Sequence, residues 1–155
     1  MRSVESLGGP LVLLLEKHLR LWKGIAGSSS SGGKLTTDYD RACAVEDYLG
    51  IIQCSHFDVL VLGDEPLRTA WFPHGDAGMF IRWVYPATES SVLKAFTWAS
   101  ANAAAALTEL TLSLAGRHRL QDAAAPGDSA DGYLAIDVSP GLYQVRSGAI
   151  ESELT

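Results

Sequence analysis

GGPLVLLLEK, residues 8–17, decides how the rest of the chain must be arranged. Gly8, Gly9 and Pro10 make a turn, Leu11 to Leu15 follow as an unbroken apolar run, and Glu16 and Lys17 end it. So short a run suits a strand better than a helix, and because alternate strand side chains point to opposite sides, it predicts a strand covered on both faces. It is too short for a signal-peptide core and has Glu5 before it. No stretch approaches the roughly 20 apolar residues that span a bilayer. A cytoplasmic location with no membrane contact is the expectation.

Working outward, Glu16 to Lys23 reads as two helical turns with Leu19 and Trp22 on one side and Gly24 as the stop. Residues 27–34 hold four consecutive serines and read as a flexible loop. Thr37 is the predicted N-cap of a helix reaching Leu49, with Asp40 as its capping acid and Gly50 beyond its end. On that helix Ala42, Val45 and Leu49 share one face, and Asp40 and Asp47 lie opposite. Ile51 to Gln53 and Val59 to Leu62 are short strands, and Gly63, Asp64, Glu65 and Pro66 a turn.

Met79 to Tyr85 alternates as a strand, with Met79, Ile81, Trp83 and Tyr85 on one face and Phe80, Arg82 and Val84 on the other, where Arg82 is the odd member. Ser90 begins a second helix whose apolar face is Val92, Leu93, Phe96 and Ala99, with Lys94 and Thr97 opposite and Trp98 toward the polar flank. Thr108, Leu110, Leu112 and Leu114 alternate with polar residues as a strand should. After a loop over 123–132, Tyr133 to Val138 and Leu142 to Arg146 flank Ser139, Pro140 and Gly141 as a hairpin. The expectation is a single α+β domain over residues 1–155, strand-rich and mainly antiparallel, with two or three short helices packed on the sheet.

Composition sets further bounds. Of the 155 residues 47% are hydrophobic, which suits a globular protein, and 19% are charged, below the usual quarter or so. The net charge of -6 disfavours nucleic acid, because phosphate binding needs clustered Lys and Arg and here they are scattered singly. Cys43 and Cys54 are too few for a disulfide framework and read as reduced thiols, Cys43 as a packing residue.

Catalytic patterns are thin. His56 and Asp58, two apart and so on one face of a strand, are the closest approach to a metal or acid/base pair, and they support an alternative reading as a small metal-dependent hydrolase or transferase. Asp38 and Asp40 sit about 200° apart on a helix and cannot chelate one ion. The glycine pairs fit no dinucleotide or phosphate-loop pattern, and the serines no nucleophile elbow. The reading is therefore no enzyme, no cofactor and no metal.

The distinctive feature is acidic. Between Leu35 and Leu67 lie Asp38, Asp40, Glu46, Asp47, Asp58, Asp64 and Glu65 against Arg41 alone, a net of -6, so the rest of the chain sums to zero. Such a surface steers a basic partner and raises its association rate. Affinity needs anchors, and Tyr39, Tyr48, Trp71 and Trp98 are the aromatic candidates. A housekeeping interaction scaffold would share these features and differ in its gene neighbourhood.

Val4 to Leu14 (VESLGGPLVLL), Thr37 to Gly50 (TDYDRACAVEDYLG), Leu60 to Pro73 (LVLGDEPLRTAWFP), Ile81 to Tyr85 (IRWVY) and Pro140 to Val145 (PGLYQV) together resemble the immunity protein 21 family of bacterial polymorphic toxin systems. The resemblance implies a cytoplasmic antidote that binds and neutralises a toxin domain without enzyme activity, on a mixed, strand-rich fold. Joined to the charge pattern, it gives a specific expectation: stoichiometric occlusion of a cognate toxin, such as a basic nuclease, by Asp40, Asp47, Asp64 and Glu65, with Trp71 and Trp98 as anchors.

Overall fold

In the computed structural model, which describes residues 2–29, 36–54, 56–66, 68–84, 87–101, 108–129 and 131–149, the apolar run Leu11–Leu15 is a strand buried on both sides. Leu11 and Leu13 enter one apolar cluster, Val12 and Leu14 another. Each buried aliphatic side chain contributes about 1.5–3 kcal/mol, so this strand anchors two cores at once.

The described strands are β1 (Ser3–Glu5), β2 (Leu11–Leu15), β3 (Leu49–Cys54), β4 (Phe57–Leu62), β5 (Arg68–His74), β6 (Ala77–Trp83), β7 (Thr108–Asp122) and β8 (Tyr133–Ser147). They form a five-stranded sheet in the order β3-β4-β2-β7-β8 and a three-stranded sheet in the order β1-β5-β6. Every pairing is antiparallel. Two α-helices are described, α1 (Asp38–Cys43) and α2 (Glu89–Ala101), together with 3-10 turns at Glu16–Leu21, Gly24–Ala26 and Gly127–Ser129. The α+β expectation holds.

Layering follows from the alternation. Leu11, Leu13, Leu60, Leu62, Leu120 and Ile136 of the large sheet meet Val4, Trp71 and Phe80 of the small one. On the large sheet's other face, Val12, Leu14, Val59 and Val61 are covered by Leu19 and Trp22 of the first 3-10 segment and by Ala42 of α1. The small sheet's outer face carries α2, where Phe96 stacks on Phe72 with ring centroids 4.7 Å apart.

Several local expectations are corrected. The helix from Thr37 ends at Cys43 instead of Leu49. Leu49 opens β3 and joins the core between the sheets, while Val45 packs against the opposite cluster, so residues that share a face on a helical wheel serve different cores. Gly50 lies in the strand, where a Cβ would come within 2.6 Å of Val45.

Ser139, Pro140 and Gly141 do not turn the chain; β8 runs straight through them. Leu114 pairs with Gly141 and Gly116 with Val138, which leaves Ser139 and Pro140 opposite Ala115 alone, as in a bulge. β8 is an edge strand, where a proline with no amide to donate is tolerated. Leu93 is exposed rather than buried on α2, and Cys43 is exposed rather than packed. Both cysteines are free, Cys54 within the core.

Glu16 to Leu21 winds as a 3-10 helix that stops two residues short of the expected Lys23, with Leu19 and Trp22 both buried in one cluster and Gly24 at φ +57°. Residues 30–34 of the serine-rich loop and Tyr85 lie outside the described residues. The 123–132 connection is held by the Gly127 amide donating to the Trp22 carbonyl at 2.9 Å. Among the described residues, no helix is long and apolar enough to cross a membrane.

Candidate protein-binding surface

α1 begins with a complete capping box: the Asp40 amide donates to Thr37 Oγ1 at 3.0 Å and the Thr37 amide donates to Asp40 Oδ2 at 3.2 Å. Asp40 thus serves the helix start while its side chain stays at the surface. Asp38 behaves differently. It is fully buried, its Oδ2 accepting the Lys23 amide and its Oδ1 the Ser29 amide, each at 2.8 Å, and the Ser29 hydroxyl at 2.9 Å. One acid of the segment is therefore a structural latch and contributes nothing to a docking face.

Beyond α1 the chain turns through Ala44 to Tyr48 into β3, leaving Glu46, Asp47 and Tyr48 exposed, Tyr48 by 52%. The Gly63 amide donates to the Tyr48 carbonyl at 3.0 Å, continuing the β3–β4 pairing one step past its end. A Cβ on Gly63 would stand 2.8 Å from the Asp47 carbonyl, so the close approach requires glycine. Asp64 and Glu65 follow at once and are exposed. The two acidic stretches, distant in sequence, are consequently neighbours around Tyr48.

The charge of Asp64 is also felt on α1. Tyr39 and Cys43 share a hydrogen bond that holds the Tyr39 phenol above its ordinary range, with burial and the nearby charges of Asp122 and Asp64 adding to the rise. Burial pushes the Cys43 thiol up, and Asp64, Asp40 and Asp122 reinforce it against the pull of the Tyr39 hydrogen bond. Asp122 is occupied locally, accepting the Leu7 amide at 3.0 Å and the Ala124 amide at 2.9 Å. Asp40 and Asp64 thus bear on one thiol, and Asp47 adjoins Gly63.

Trp71 and Trp98, two of the four aromatic candidates, lie on other elements, β5 and α2. Trp71 is half-buried beside the core between the sheets, its ring 4.7 Å from that of Phe80 and pressed over Gly78. Trp98 is 38% exposed on α2, near Leu93, Lys94 and Thr97. Of the two tyrosines near the acids, Tyr39 is half-buried with its ring against Gly9, and Tyr48 is the exposed one, beside Glu46, Asp47 and the Gly63 turn. Its signal was its position directly after Glu46 and Asp47.

His56 occupies the β3–β4 turn, since Cys54 pairs with Phe57 and the strand resumes only there. The two-residue alternation with Asp58 along one strand therefore does not apply. His56 instead faces His18, ring centroids 5.8 Å apart, beside Phe57. Burial, the Lys17 charge and the His56 ring all lower the His18 pKa. Among the described residues, no group of three or more His, Cys, Asp or Glu side chains is placed to hold a metal ion.

No curated protein and no solved structure matches the chain. The family model of immunity protein 21 matches residues 2–155, from the first described strand through both sheets and the acidic surface. By that match over nearly its whole length, the chain belongs to the immunity protein 21 family.

Proposed function

We propose that the protein neutralises a cognate bacterial toxin by binding it stoichiometrically and covering its working surface, with Tyr48 as the aromatic anchor among Glu46, Asp47, Asp64 and Glu65. Asp40 extends the acidic field toward α1. Family membership supplies the class of activity. The observation that carries the choice of surface is the Gly63 to Tyr48 hydrogen bond of 3.0 Å, which brings two separate acidic stretches together beside a half-exposed tyrosine. Occlusion needs no catalytic group of the antidote's own. A basic toxin surface, as on a nuclease, is the complementary partner, and encounter is then steered by charge.

The test is to mix the protein with the toxin domain encoded by the neighbouring gene and follow complex formation at increasing salt. A one-to-one complex that abolishes toxin activity, with association slowing steeply over about 50–500 mM salt, is expected. Replacing Asp47 and Asp64 together by Asn should slow association about tenfold at low salt and flatten the salt dependence. Neither complex nor rescue would reject the antidote reading. A tight complex whose association ignores both salt and these substitutions would reject the acidic surface alone.

A further inference from the structure

Arg82, the cation that stands out of place in an apolar strand, points between the sheets. It shares its face of β6 with Phe80, which packs against the inter-sheet core, and it lies directly across from Thr69 on β5. Its Nε donates to the buried Thr69 hydroxyl at 3.0 Å and its Nη2 donates to the Gly63 carbonyl at 2.8 Å. Gly63 directly follows β4 of the large sheet and starts the crossover to β5 of the small one, so this single side chain ties the crossover to the small sheet.

Three restraints converge on Gly63. Its carbonyl is held by Arg82, its amide is held by the Tyr48 carbonyl, and its missing Cβ makes room for the Asp47 backbone. We propose that Arg82 is a positioning residue for the toxin-docking surface: by clamping Gly63 it fixes the turn bearing Asp64 and Glu65 in register with Asp47 and Tyr48. This rests on the docking surface assigned above.

A purely structural cation would be a costly choice here. Burial lowers the Arg82 pKa to about 10, and the charge of Asp64 opposes that fall, so the guanidinium stays charged at neutral pH. A methionine of similar length would fill the same space without desolvating a charge. What methionine cannot do is donate to Gly63.

The experiment compares R82M and R82K with the native protein, using the toxin domain encoded by the neighbouring gene and, separately, amide hydrogen exchange of the free protein. In folded R82M the Gly63 amide should exchange faster and the complex should dissociate about tenfold faster, while association stays within about twofold because every carboxylate remains. R82K keeps the charge but has a single nitrogen in place of the planar fork that reaches both Thr69 and Gly63, and should fall between.

A core variant, Leu134→Ala, compared with R82M at the same interval below its own melting temperature, is the control for general loosening. Native dissociation and native Gly63 exchange in R82M, or equal loosening by the control, would overturn the proposal. If R82M does not fold, R82K and the near-isosteric Thr69→Val, which removes the Nε acceptor, must show the same faster exchange and dissociation, or the proposal fails. The two readings separate cleanly. Slowed association by the Asp47 and Asp64 substitutions with no effect of R82M rejects only the Arg82 role, whereas unaltered association in those substitutions rejects the surface and the role that rests on it.

Discussion

Asp38 and Lys23 meet through the backbone amide of Lys23, which donates to the buried Asp38 carboxylate at 2.8 Å. The same carboxylate takes two further hydrogen bonds from Ser29. It therefore closes the path between the first 3-10 segment and α1, which together cover one face of the large sheet through Trp22 and Ala42.

Asp38→Ala should consequently lower stability by about 2–4 kcal/mol, because the removed acceptor leaves buried donors without a partner. Asp47→Ala, at an exposed position of the same acidic segment, should stay within about 0.5 kcal/mol. Urea unfolding of the two variants measures both, and equal small losses would show that the Asp38 latch does not carry the segment.

This pair also marks how far the acidic stretch could be read in advance. Charge counting treats its carboxylates as equivalent, but burial is a tertiary property, and the fold withdraws Asp38 from the surface while leaving Asp47 and Asp64 on it. Features set by local spacing were legible: the capping box of Thr37 and Asp40, the two-sided burial of β2, the alternation at the start of β7 and the onset of α2. Features set by contacts between distant residues were not. Leu49 continues a helical spacing from Ala42 and Val45, yet its burial lies on the other side of the sheet.

β5 has no counterpart among the expected strands, although Gly75 and Asp76, between paired His74 and Ala77, are a two-residue hairpin signal. The proline at 140 spoke for a turn because its tolerance in β8 depends on which strand is at the edge, and strand order is invisible in one sequence. The joining of Tyr48 to Gly63 is of the same kind.

His118 gives the protein a pH dependence with a definite sign. The ring is 5% exposed on β7, across from Ile136, with Nδ1 2.9 Å from the Gly116 carbonyl. Burial lowers its pKa, outweighing the Gly116 hydrogen bond and the Asp137 charge, which act to raise it. The unfolded chain takes up this proton near pH 6.5 while the folded one does not, so the unfolded state binds more protons and gains relative stability as acidity rises. The contribution is intact above about pH 6.5 and is lost as pH falls toward the lowered folded value. His118→Gln should therefore flatten the fall in melting temperature between about pH 7.5 and 5.5. His18→Gln is measured beside it, since His18 is lowered in the same direction. An unchanged slope in His118→Gln would place the acid sensitivity elsewhere.

Cys43 offers a chemical probe at the edge of the acidic surface. The residue is exposed, but burial of its thiol raises the pKa, and Asp64, Asp40 and Asp122 raise it further. Nucleophilic attack requires the thiolate, so a raised pKa means a smaller reactive fraction at neutral pH. Alkylation by iodoacetamide at about pH 7.5 should thus be several-fold slower at Cys43 than in a free thiol and should climb steeply toward about pH 9. Asp64→Asn removes one of the charges holding the thiol up and should speed the reaction at fixed pH. Cys54, fully buried, should label only on unfolding. Because Asp40 and Asp64 both bear on Cys43, a toxin docked on those acids covers it, and labelling in the complex should fall well below that of the free protein. Undiminished labelling in a saturated complex would move the toxin away from this end of the acidic surface.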